Sequence, residues 1–358
     1  MAPNPILGVL LLAIGGFAAG SFYAPLKKVQ GWAWESFWLV MGVAAWLATP
    51  WIVAWLTTPR LGEVLAASPA NAWTWCIVFG LLWGIGGLTF GLSVRYLGMG
   101  LGFAAALGFC MAFGTLVPPV YEGLAGHDEH WATMRALLTT TGGQIVLAGI
   151  AVCLGGIGLC GRASMYKEAE LTDEQKKGVA DEFALGKGFA VAAVAGVLSA
   201  CFAFGLAAGR PIAEVAAAMD TRPLFVNNVV LVIILWGGFA TNAAWCLVLN
   251  AKNGSFGDYY RGPAGRQVAN YFLSALGGVI WYGQFFFYGM GSTKLGDRYG
   301  FSSWSAYMAF IIVFSNLWGI VFHEWRGTSR RTKALVWAGI LSLIVSTMMI
   351  GMGNYLAE

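Results

Sequence analysis

The chain has 358 residues, of which 58% are hydrophobic and 11% charged, with 50 glycines and a formal net charge of +4. A soluble domain carries roughly 25% charged residues, so a soluble globular protein is excluded and a chain surrounded by lipid is indicated. The 23 Phe, 17 Trp and 12 Tyr exclude a glycine-rich disordered chain, and basic residues scattered over several loops exclude a nucleic-acid-binding face.

A spanning helix requires about 20 mostly apolar residues. Ten segments meet that requirement: Ile6–Leu26, Glu35–Leu56, Trp73–Tyr96, Gly100–Tyr121, Leu138–Gly161, Gly188–Gly209, Leu224–Leu249, Ala269–Gly291, Phe301–Phe322 and Ala334–Leu356. The expected fold is therefore an all-α integral membrane protein. The first run follows MAPNP, which lacks the basic residues of a signal peptide, so it is expected to be retained as a span.

Lys27 and Lys28 end the first segment and read as an anchor on its polar side. Glu35 opens the second segment, where the helix dipole favours an acid. Glycines 80, 84, 87 and 91 share one face of the third segment, the pattern of close helix packing rather than of a phosphate loop. Arg95 marks a very tight connection to the fourth segment, as an anchor or as a gate residue paired with a carboxylate such as Glu35. The six cysteines lie in apolar runs without a CxxC pair, so neither a metal site nor a disulfide framework is expected.

The one long charged stretch, KEAELTDEQKKGVADE, lies between the fifth and sixth segments. The chain thus divides into a first five-helix repeat (residues 1–163), a charged linker (164–187) and a second five-helix repeat (188–358). Laying residues 83–103 on 281–301 without a gap gives six identities, including Trp83 on Trp281 and Gly91 on Gly289. An odd number of helices per repeat makes the repeats inverted, an arrangement that places a substrate site between the halves near the midplane. Loops after the odd-numbered segments hold 15 of the 21 Lys and Arg residues. The positive-inside rule puts those loops in the cytoplasm and both termini in the periplasm.

No Asp or Glu lies deep within a segment. A proton-coupling group is therefore expected near a helix end, among Glu35, Glu122, Glu214, His323 and Glu324. Uncharged polar residues do enter the segments, among them Asn227, Asn228, Asn242, Asn270, Gln284 and Asn316. Gln284 shares a helical face with Trp281 and Tyr288. An amide that donates and accepts, set among rings with an apolar face, suits a neutral polyhydroxy solute. An aromatic core cluster is the alternative reading of the same residues.

FYAPLKKVQGWAWESFW, WGIGGLTFGLSVRYLGMGLG, GGVIWYGQFFFYGMG and HEW at 323–325 resemble, in order and over nearly the whole chain, the signature stretches of the L-rhamnose–proton symporter family of the drug/metabolite transporter superfamily. The resemblance implies ten helices in two inverted halves and import of L-rhamnose or a closely related deoxy sugar with a proton. No cofactor is then expected, with sodium the alternative coupling ion. The expected partners are the sugar and the bilayer; the oligomeric state is left open. The residues expected to meet the substrate are Tyr23, Trp38, Trp83, Asn242, Trp281, Gln284 and Tyr288. Those expected to couple or gate are Lys27, Lys28, Glu35, Arg95, Glu122 and Glu324, with Glu35 first. A metabolite or drug exporter on the same scaffold is the competing reading. A membrane enzyme is disfavoured, because no cluster of acids or of base and nucleophile occurs.

Overall fold

The computed structural model describes residues 4–124, 135, 137–170, 185–295, 302–321, 323 and 325–356. These are helical almost throughout, with no strand among them. In chain order the helices are α1 (Pro5–Ser21), α2 (Tyr23–Leu26), α3 (Trp34–Gly42), α4 (Thr49–Thr57), α5 (Leu61–Ala67), α6 (Ala70–Leu124), α7 (Thr141–Glu170), α8 (Leu185–Ala208), α9 (Arg210–Ala218), α10 (Asn227–Asn253), α11 (Ala264–Ser292), α12 (Ser303–Val321) and α13 (Arg330–Tyr355). A π-helical turn, Val43–Ala48, joins α3 to α4 without a break. Eight stretches of the described residues are long and apolar enough to cross a bilayer: Pro5–Leu26, Trp34–Thr57, Ala70–Phe90, Thr141–Glu170, Gly186–Ala218, Pro223–Asn253, Ser303–Val321 and Arg330–Tyr355. The chain is thus a multi-pass membrane protein.

The fourth expected segment follows the third inside one uninterrupted helical element, α6, of 55 residues. Packing shows that this element doubles back. A Cβ added to Gly86 would meet Leu198 and Ser199, one added to Gly188 would meet Leu97, and one added to Gly196 would meet Ala106, Phe109 and Cys110. A straight helix would carry Gly86 and Ala106 about 30 Å apart, yet their partners on α8 are neighbours. The reversal falls near Leu97, in the glycine-rich YLGMGLG stretch, and the second arm retains an apolar helix at Ala104–Val117.

Contacts group the chain into two compact units, residues 1–17, 86–204 and 290–358 in one and residues 18–85 and 205–289 in the other. In the first unit α7 and α13 run antiparallel along their length. Gly149 faces Ile350, Gly156 faces Leu343 and the Gly339 carbonyl, and Gly353 faces Val146 and the Gly142 carbonyl. Small residues on both faces let the backbones approach, the packing that stands in for hydrophobic driving force inside lipid. Glu170 at the end of α7 accepts from the Ser329 N–H, the Ser329 hydroxyl and the Thr332 hydroxyl, each at 2.7 Å. It thereby supplements the Ser329 side chain that caps α13.

In the second unit the first arm of α6 packs on α10. Gly80 and Gly84 face Ile234–Thr241, and Gly237 and Gly238 face back toward Ile77–Trp83. The four-glycine stripe is used only in part: Gly87 faces open space and the Gly91 side is outside the described residues. A Cβ on Gly237 would lie 2.7 Å from the Leu81 nitrogen and 2.8 Å from the Gly80 carbonyl carbon, where nothing flexible can yield. Gly237→Ala is therefore expected to destabilise by roughly 1–3 kcal/mol, the range for an overpacked core. Gly87→Ala should be tolerated. Thermal unfolding of the detergent-purified variants checks the contrast, and equal midpoints would refute it.

Candidate substrate and proton site

The hydrogen-bond network and the aromatic run described first lie in the second unit. Helix α3 begins after a loop, and its N-terminal groups are answered from a distant part of the chain. Asp258 Oδ2 accepts from the Ala33 N–H at 2.7 Å and from the Ser36 hydroxyl at 2.8 Å, although Ala33 offers no side-chain cap itself. Asp258 reaches this place because α10 ends at Gly254 in the left-handed region, with φ of 66°, and its N–H bonds the Asn250 carbonyl. A residue without a Cβ is favoured there. The chain then coils through a short 3-10 turn, Ser255–Tyr259. Further bonds tie the loop before α3 to the start of α11: the Gln30 N–H donates to Asn270, the Asn270 amide donates back to the Gln30 carbonyl, and the Trp32 indole donates to Gln267.

Glu35 is 4% exposed at the first turn of α3. Its Oε1 accepts from the Asn253 amide at 3.0 Å and from the Ser255 hydroxyl at 2.6 Å. Both donors are neutral, so the carboxyl is held by hydrogen bonds from uncharged groups. Ser36 and Asn250 extend the network, with Asn250 donating to the Cys246 carbonyl. Asn253, Ser255 and Asp258 were not singled out from sequence. The Asn-Gly pair at 253–254 signals the turn, but nothing local signals that it meets residues 33–36.

From Glu35 the same helix leads to aromatic side chains. Trp38 lies one turn on, stacks on Trp34 with ring centroids 5.0 Å apart, and donates its indole N–H to Asn242 at 3.4 Å. Phe22 bridges Tyr23 and Trp38 by edge contacts. Trp83 from α6 lies 5.8 Å from Trp281 of α11, and Phe285 touches both rings. Gly238 leaves the space that the Trp83 ring occupies. Trp281, Gln284 and Tyr288 are all buried on one face of α11. Six of the seven expected substrate residues are therefore near a common aromatic run or on its helices; Tyr23, at 38% exposure, lies at its outer end. The sequence reading omitted Trp46, whose ring is the junction of the run.

The other coupling candidates are placed differently. Lys27 and Lys28 are exposed where α2 ends. Arg95 and Glu122 are on α6, but their side chains, like Glu324, lie outside the described residues. Glu214 forms an exposed ion pair with Arg210 at 3.4 Å, an arrangement worth little in water.

A multi-pass helical membrane protein with an uncharged aromatic and amide cluster, and a buried acid at a helix end, has the make-up of a solute transporter. The family model described as L-rhamnose-proton symport protein (RhaT) matches residues 1–356. The chain is 33% identical over 356 residues to an L-rhamnose-proton symporter of Mannheimia succiniciproducens, covering 99% of each chain. It is 35% identical over 349 residues to the one of Cronobacter sakazakii, and 34% over 350 residues to the one of Citrobacter koseri, in each case covering 97% of both chains. The chain belongs to the L-rhamnose–proton symport family, a family of transporters rather than enzymes.

Asp258→Ala removes both acceptor contacts at the start of α3. Loss of an N-terminal cap costs about 0.5–2 kcal/mol, and the lower thermal midpoint should be accompanied by faster amide exchange at residues 33–37. Unchanged exchange there would show that Asp258 does not hold the helix start.

Proposed function

We propose that this protein imports L-rhamnose, or a closely related deoxy sugar, together with a proton across the inner membrane by alternating access. The observation that carries the reading is the combination of full-length membership in the symport family with a buried, uncharged Trp-and-amide cluster in one compact unit. Aromatic faces suit the C–H surfaces of a sugar, and amides suit its hydroxyls. A drug exporter for hydrophobic cations would be better served by a carboxylate within the cluster.

The proposed substrate side chains are Trp38, Trp83, Asn242, Trp281, Gln284 and Tyr288, with Tyr23 at the outer end. They come from both halves of the chain, as the inverted-repeat reading requires. Ten crossings follow if the second arm of α6 and the 29-residue α11 are added to the eight apolar stretches. Helix α11 is less apolar because it carries Arg266, Gln267 and Asn270 at its start and Gln284 within it. Contacts agree in parity with this count. The loop after the first crossing meets the loop before α11, Glu170 after the fifth meets Ser329 after the ninth, and the Asn4 N–H bonds the Lys294 carbonyl after the eighth. Repeats at 1–163 and 188–358, and both termini in the periplasm by the basic-residue count, complete the proposed topology.

Glu35 is the proposed proton carrier. It is buried, held by neutral donors, and one helical turn from Trp38, so occupancy of the aromatic cluster can alter its hydration and thus its proton affinity. Lys27, Lys28, Arg95, Glu122 and Glu324 are proposed as gating groups on the polar sides.

The decisive experiment is uptake of L-rhamnose and a panel of deoxy sugars by proteoliposomes under imposed proton or sodium gradients. Rhamnose accumulation driven by the proton gradient alone is expected; accumulation driven only by sodium, or none with any sugar, refutes the proposal. In Glu35→Gln the amide oxygen can still accept from Asn253 and Ser255. Rhamnose exchange between the two sides should therefore persist while proton-driven accumulation is lost. Intact accumulation in that variant would remove Glu35 from the coupling step.

A further inference from the structure

Trp46 is 3% exposed, and its ring meets four others: Trp281 at 5.0 Å, Phe239 at 6.3 Å, and Trp38 and Trp83 at 6.4 Å each. It thereby joins Trp38 of α3 to Trp83 of α6 and Trp281 of α11. Its indole N–H is buried and has no hydrogen-bond partner among the described residues. The neighbouring Trp38 N–H, by contrast, is taken by Asn242, whose own amide is taken by the Gly238 carbonyl. An indole can only donate, and in a lipid-embedded protein a buried donor left unmade is a standing cost.

The backbone beneath Trp46 is also unusual. Val43–Ala48 is π-helical between Gly42 and Pro50, and Pro50 can give no N–H to the Trp46 carbonyl four residues before it. A π turn inside an α-helix is rare and recurs at functional sites. Gly42, one turn before, admits the ring: a Cβ there would lie 2.7 Å from Trp46 Cζ3. Trp46 is twelve residues into the 24-residue span Trp34–Thr57, about 18 Å from its start, and so near the depth expected of a transported solute.

We propose that the Trp46 indole N–H donates to a hydroxyl oxygen of the bound sugar, making Trp46 a specificity-determining contact that the π-helical turn aims into the aromatic cluster. This inference rests on the sugar-transport reading above and deepens it by naming the donor. The ring gives the apolar face and the N–H selects a hydroxyl at one ring position, because a sugar lacking it leaves the donor unpaired.

The test is a ligand-against-residue cycle by calorimetry on the purified full chain. L-rhamnose and its monodeoxy analogues are titrated into wild type, Trp46→Phe and Trp46→Leu; either folded variant suffices, since both remove the N–H. Rhamnose affinity is expected to fall roughly tenfold in the variants. One analogue should bind wild type roughly tenfold less tightly than rhamnose and lose nothing further in the variants, the non-additivity that marks a direct contact. An equal factor of loss for every analogue, or no loss for rhamnose, overturns the inference while leaving sugar transport intact. Absence of rhamnose binding by wild type would instead overturn the substrate reading, and this inference with it.

Discussion

Within lipid no water answers a polar group, so each must be satisfied by the chain itself. At the start of α3 this constraint organises the second unit. Two acids, Glu35 and Asp258, are brought close to the same helix turn, and each is met by its own set of donors. Asp258 takes the free N–H of the helix start; Glu35 takes the side chains of Asn253 and Ser255. The α10–α11 loop must fold back to supply them, and the Gly254 turn and the Gln30–Asn270 pair are the means. The helix so fixed then carries Trp34, Trp38 and Trp46 at defined positions along one continuous span.

Glycine has the complementary part. Gly80, Gly84, Gly237 and Gly238 bring α6 and α10 into backbone contact, and that closeness places Trp83 against Gly238 and within reach of Trp281 and Trp46. A bulkier residue at any of these places would separate the helices and with them the rings. Polar pairing at the end of the span and close packing at its middle therefore serve one arrangement.

Much of this was legible in the sequence, because apolar run length is a direct consequence of bilayer thickness. The second expected segment, Glu35–Leu56, became Trp34–Thr57, and the tenth, Ala334–Leu356, became Arg330–Tyr355. Trp281, Gln284 and Tyr288 fell on one buried face as their spacing required. What escaped was set by distant partners or by geometry without a local code. Asp258 caps a helix 225 residues away in sequence. Pro50 marks a disturbed helix but does not say that the disturbance takes the form of a π turn, so Trp46 read as one more aromatic in an apolar run. Gly42, four residues before it, was the available clue, since a glycine inside a helix needs a packing reason. The reversal within α6 was expected near Arg95 and falls close by, but the helical pattern persists through it rather than breaking into a loop.

The separation of acid from rings bears on how coupling could work. Glu35 and Trp46 are eleven residues apart on one helix, about 16 Å along its axis. The chain offers a short route: Glu35 and Trp38 are neighbours on one face, Trp38 bonds Asn242, and the Trp38 ring meets Trp46. A sugar that shifts the Trp46 ring would press on Trp38 and hence on the α10 face that ends in Asn253, one of the donors to Glu35. A carboxyl losing such a donor prefers its proton more strongly, so sugar and proton would favour each other's binding, and that mutual preference is what symport requires.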